Sequence, residues 1–164
     1  MSSGNEQVIQ FEKVTAEHQK IIFEWLAQPH MQEFWDNSQE HKEDILNFIN
    51  GRKQQYFYGT FHYWIGSIDR QPFCFLLTDE ILPSQVEERP LHKRYLSHTG
   101  KTIAIDFYHN QVDPQADTFF IDPDDGNPRA QHVYEKAGFQ FVGEFDMQEG
   151  AFEKQKTHLM ILQL

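Results

Sequence analysis

Residues 119–139, FFIDPDDGNPRAQHVYEKAGF, constrain the fold more than any other stretch of the chain. An apolar run with strand character ends in acids and a proline, and a helix signal follows directly. Asn127 offers a side-chain oxygen to an orphan backbone N–H, and Pro128 at the first helical position gives up a donor that has no partner anyway. Gly138 is the expected stop. Two further apolar runs, FQFVGEFDM and KTHLMILQL, then read as strands. A strand, a helix and two strands in succession point to an α/β fold.

The preceding sequence supports the same class. VIQFEKVT (8–15) alternates apolar and polar residues as a strand does. In 16–35, Ile22, Trp25 and Leu26 fall at helical spacing, with a break near Pro29. Asn37 and Glu40 form a capping-box pattern for another helix, with Ile45, Phe48 and Ile49 on its apolar face and Gly51 at its end. FHYWIGSID and PFCFLLTDE read as a hairpin turning around Arg70 and Gln71. A long polar excursion, LPSQVEERPLHKRYLSHTG, separates it from two more strands, KTIAIDFY (101–108) and ADTFFID (116–122). The expected order is β-α-α-β-β-β-β-α-β-β.

Composition narrows the function. The chain has 164 residues, a single domain's worth, and is 39% hydrophobic. No apolar run approaches the roughly 20 residues of a membrane helix, and MSSGNEQ lacks the regions of a signal peptide. A cytoplasmic location without a membrane partner is expected. The formal charge is −11, from 14 Lys and Arg against 25 Asp and Glu. Nucleic-acid binders rely on basic groups, so an acidic chain argues against that partner. It suits cationic substrates by steering, and many cytoplasmic proteins are simply acidic. One cysteine, Cys74, excludes an internal disulfide and a cysteine metal cluster. The nine histidines show no ligand spacing on one face, and no metal is expected.

FEWLAQPHMQEFW, TIAIDF and FFIDPDDGNPRAQHVYEKAGFQFVGEF together resemble the GCN5-related N-acetyltransferases (GNAT), and more narrowly the aminoglycoside 6'-N-acetyltransferases and siderophore-type acyltransferases. The carrying patterns are DPxxxNxRA and YEKAGF. The resemblance implies a mixed α/β domain, with a central twisted mixed sheet flanked by helices. It implies acetyl-CoA as co-substrate and a small amine, aminoglycoside-like or polyamine-like, as acceptor, with the protein a monomer or homodimer. Tyr134 matches the hydroxyl that protonates the departing thiolate, and Asp106 the acid that orients and deprotonates the amine. Backbone groups of Ile105 and Phe107, with Asn127, Arg129 and Ala130, match the positions that hold the pantetheine arm. Trp35 matches an aromatic wall of the amine site, and Asp122 would face the same substrate.

Each residue also has a plainer reading: Tyr134 and Trp35 as core aromatics, Asp106 as a strand-end acid, Asp122 as an Asx turn before Pro123. One family element is missing. A glycine-rich turn and helix should follow the strand bearing Asp106, to hold the CoA pyrophosphate. Only eight residues separate Tyr108 from Asp117, none of them glycine, and the sequence contains no Gly-x-Gly. Parallel neighbouring strands need a crossover of about a dozen residues or more. The expectation is therefore a missing segment near 107–111, or a non-catalytic GNAT-fold binding module that has lost its CoA loop. A protein N-terminal or siderophore hydroxylamine acyltransferase is a further alternative.

Overall fold

A computed structural model describes residues 9–55, 61–79, 87, 89–94, 108–148 and 152–164. The chain opens with strand β1 (Ile9–Lys13), a 3-10 turn (Ala16–His18) and three helices, α1 (Gln19–Leu26), α2 (Pro29–Phe34) and α3 (Gln39–Ile49). Helix α1 buries Ile22 and Leu26, four residues apart and so on one face. Pro29 separates it from α2: the residue before it, Gln28, is forced extended (φ −67°, ψ 143°), and the proline opens the new helix.

The cap of α3 differs from the sequence expectation by one position. Ser38, not Asn37, is the N-cap, and its Oγ accepts the His41 N–H at 3.2 Å. Asn37 instead turns its Nδ2 back to donate to the carbonyls of Met31 and Trp35, each at 3.2 Å. Both residues are good caps; the end of α2 captures the asparagine.

Strands β2 (His62–Ile68) and β3 (Gln71–Thr78) form the expected hairpin, and β1 adds antiparallel to the other side of β2. The turn falls at Asp69 and Arg70, both at positive φ (50° and 65°), the geometry of a two-residue turn that matches strand twist. Tyr63 and Ile65, two apart on β2, share a face. They meet Val14, Ile22, Leu26 and Ile45 in one core cluster. Each fully buried aliphatic there contributes about 1.5–3 kcal/mol. Gly66 lets the strands close: a Cβ there would strike Cys74 Sγ and stand 3.0 Å from the Phe11 ring.

A second antiparallel sheet has the order β4 (Thr118–Ile121), β6 (Lys156–Gln163), β5 (Gln140–Asp146). Every residue of β4 is buried, so both faces of the sheet are covered at this strand. Phe119, Ile121 and Met160 pack with Ala116, Phe139 and Tyr134 on one face. Phe120, Leu159 and Ile161 pack with Leu91, Val142 and Phe145 on the other. Leu91 belongs to a short helix, α4 (Pro90–Lys93), inside the stretch that reads as a polar excursion. Its His92 ring lies 5.3 Å from Phe120 and 5.1 Å from Phe145.

Helix α5 (Pro128–Lys136) forms where the sequence places it and stops before Gly138, at φ 97°. The expected strand 101–108 lies outside the described residues up to 107, as does its parallel pairing with β4. From there Tyr108–Val112 makes a single π-helical turn. Among the described residues, no α-helix stands between that turn and β4.

Candidate active site

Asp122 follows the last residue of β4. It keeps open surface, yet protein crowds it enough that desolvation raises its carboxyl pKa, against the lowering effects of Arg89 and of its own backbone N–H. The Asx turn of this stretch is made two residues later, at Asp124. Asp124 Oδ1 accepts the Gly126 N–H at 2.7 Å, and Asp124 O accepts the Asn127 N–H at 3.0 Å.

Tyr134 stands on α5, within reach of the Asp122 charge. Its ring packs on Phe139 (6.2 Å, 63°) and on the Phe119 cluster, which sets its direction. Burial raises the phenol pKa first, and the charge of Asp122 raises it further. The phenol is therefore protonated at neutral pH, and its hydroxyl makes no hydrogen bond among the described residues. Asp122 thus lies close enough to Tyr134 for its charge to act on the phenol. Asp106, Ile105 and Phe107 lie outside the described residues.

The start of α5 presents donors. Asn127 spends its Oδ1 on the Ala130 N–H at 3.1 Å, and its amide Nδ2 makes no hydrogen bond among the described residues. Arg129, the next residue but one, is exposed, and its backbone N–H precedes the first helical bond, from Gln131 N to Asn127 O at 3.2 Å.

Trp35 sits elsewhere, at the extended C-cap of α2 (φ −117°, ψ 137°). Its indole stacks on His41 (5.7 Å, 14°) and packs on Phe75 (5.4 Å) against the first core cluster. That is the position of a core aromatic, with one exception: its Nε1 is buried without a hydrogen bond. The hydroxyl of Tyr63 shares that state, its ring 5.8 Å from Phe75 and 5.9 Å from His41. Burial raises the Tyr63 pKa, and Asp44, Asp36 and Asp79 raise it further. Two buried donors beside three acids form a set that the sequence conceals, because Tyr63 lies in an ordinary β-rich run. A buried donor left unmade costs about 1–3 kcal/mol. The His41 pKa is lowered by burial, against the raising effects of Asp36 and Asp44.

No protein-family model and no curated relative matches the sequence. Solved structures do match. An aminoglycoside N(6')-acetyltransferase from Legionella pneumophila aligns with a TM-score of 0.72 at 25% identity, over 99% of this chain and 95% of that one. An aminoglycoside acetyltransferase in complex with coenzyme A and kanamycin aligns at 0.64 and 17% identity, over 95% of each chain. The spermidine N-acetyltransferase of Vibrio cholerae, in complex with CoA and spermine, aligns at 0.60 and 14% identity, over 97% and 96%. Near-complete coverage in both directions and the shared α/β architecture give one conclusion: the chain has the fold of the GCN5-related N-acetyltransferases.

Proposed function

We propose that the protein transfers an acetyl group from acetyl-CoA to an amine of a small cationic acceptor, aminoglycoside-like or polyamine-like. The carrying observation is the pair Asp122 and Tyr134, a carboxylate whose charge acts on a protonated phenol and raises its pKa. The fold neighbours support the reading, since they were solved with coenzyme A and kanamycin or with CoA and spermine. The formal charge of −11 favours a cationic acceptor.

The residues present fit the amide end of a pantetheine arm: Asn127 Nδ2, the Arg129 N–H and the Arg129 guanidinium are all donors at a helix start. Acetyl-CoA, when bound, supplies a thioester whose cleavage releases a thiolate. Tyr134 donates its hydroxyl proton to that sulfur. Asp106 orients the acceptor ammonium and takes its proton, so that the free amine attacks the carbonyl carbon and the C–S bond breaks. Asp122 holds the acceptor's positive charge, and Trp35 walls the amine site. Ile105, Phe107 and Ala130 supply backbone to the arm. Holding both reactants side by side provides most of the rate advantage.

Mass spectrometry of aminoglycosides, polyamines, siderophore precursors and peptides incubated with protein and acetyl-CoA tests this. An acceptor gaining one acetyl group only when the protein is present supports it; no acetylated product from any class contradicts it.

One observation favours a second reading. Where a crossover helix belongs, the described connection holds a single π-helical turn. A segment missing near 107–111 reconciles that with an enzyme, whereas a chain that natively lacks it is a binding module on the same fold.

A further inference from the structure

Three side chains converge where the turn ahead of α5 meets the β5–β6 pair. His158 Nε2 stands 2.8 Å from Asp125 Oδ1 and 3.4 Å from Glu144 Oε1. All three ligand atoms lie within 4.8 Å of one another. The backbone sets this up. Glu144 and His158 are direct partners across the β5–β6 ladder, so their side chains share a face. Asp125 is brought to them by its N–H bond to Lys156 O (3.2 Å), by the Asp124–Thr157 bridge, and by the His158 N–H bond to Pro123 O (3.0 Å).

An ion pair alone does not account for the geometry. His158 Nε2 is closed to solvent, and despite the short distances it makes no hydrogen bond. Distance is satisfied, so direction is what fails: neither carboxylate lies on the axis that a ring N–H would use. A cation held jointly by the nitrogen lone pair and the two carboxylates would satisfy all three groups.

The donor set selects the cation. Imidazole with carboxylates suits zinc and its transition-metal neighbours, whereas magnesium and calcium prefer oxygen alone. Ligand atoms around a tetrahedral zinc, with bonds of about 2.0 Å, stand about 3.3 Å apart. The 3.4 Å pair already matches, and the 2.8 Å pair must open by roughly half an ångström. Lys156 Nζ holds Glu144 Oε2 at 3.3 Å, which keeps Oε1 turned to the centre. The Phe141 ring, edge-on to His158 at 4.9 Å, restrains the imidazole, as groups behind a metal ligand commonly do.

We propose that Asp125, Glu144 and His158 bind one divalent transition-metal ion of the zinc class and fasten the turn ahead of α5 to the β5–β6 sheet. Solvent completes the coordination. The proposal does not depend on the proposed chemistry.

The test is calorimetric titration of the untagged, EDTA-treated full chain with Zn²⁺, paired with thermal melts and with Co²⁺ absorption. One equivalent should bind with micromolar or tighter affinity, raise Tm, and give the intense visible band of low-coordinate cobalt. Asp125→Asn and His158→Ala should each weaken Zn²⁺ at least tenfold. Asp125→Asn, nearly isosteric, keeps the test valid if His158→Ala does not fold. Absence of binding up to about 1 mM Zn²⁺ overturns the site. So does Zn²⁺ affinity unchanged by Asp125→Asn, which places the ion on other histidines, or Mg²⁺ binding as tight as Zn²⁺.

Discussion

The charge of Asp122, at the end of β4, raises the pKa of Tyr134, one helix later, beyond what burial of the phenol does alone. The two residues lie on either side of the turn that caps α5, so the backbone that starts the helix also fixes their relation. A phenol kept protonated beside an anion is poised to give its proton to a developing thiolate and to stay neutral otherwise.

Tyr134→Phe should lower kcat for acetyl transfer about a hundredfold or more, the usual scale for a lost general acid, with KM for either substrate little changed. Asp122→Asn removes the anion that lifts the phenol pKa, so the alkaline limb of the kcat profile should move to lower pH. Steady-state kinetics by thiol release across pH checks both. An unchanged kcat in Tyr134→Phe leaves the tyrosine a packing residue only.

Trp35 separates packing from recognition. Trp35→Ala should cost about 3–5 kcal/mol in chemical denaturation, because the indole packs on His41 and Phe75. Trp35→Phe keeps much of that packing and removes the orphan Nε1, so its stability should stay within about 1 kcal/mol of the parent. Its acceptor KM should nonetheless rise. A Phe variant as unstable as the Ala variant, with acceptor KM unchanged, assigns the residue to the core alone.

His92 gives the fold an acid limit. Burial, then the charge of Arg89, lowers its pKa to about 4 from the ordinary 6.5. Between those values the unfolded chain binds the proton and the folded chain does not. Stability is therefore fully present above 6.5 and is lost as pH falls toward 4. The gap corresponds to about 3 kcal/mol. His92→Leu should flatten this slope, so that urea midpoints at pH 7 and pH 4.5 draw closer than in the parent. An identical slope in the variant places the acid sensitivity elsewhere.

How far the sequence reveals all this depends on how local each signal is. The start of α5 at Asn127 and Pro128 and its stop at Gly138 are legible because capping and positive φ are one-residue requirements. The hairpin was legible for a similar reason. Helix α4 was not, since only Leu91 and the His92 ring anchor it, and its burial comes from Phe120 and Phe145, which lie far along the chain. The Ser38 cap turned on a competition between two good caps, decided by carbonyls at the end of α2. Tyr63 and the Asp125, Glu144 and His158 group escape a linear reading altogether, because sheet register and core packing bring their partners together. Of the candidate site, the DPxxxNxRA and YEKAGF patterns pointed to Asp122 and Tyr134, but their proximity comes from the turn between them.

The account depends on a thioester carrier binding at the start of α5 without a glycine-rich cradle in the sequence. Calorimetric titration of the protein with acetyl-CoA measures this directly. Saturable binding at about micromolar to submillimolar Kd, weakened severalfold by Asn127→Ala, is the result expected. No heat of binding up to about 1 mM acetyl-CoA, from protein shown to be folded, would contradict it.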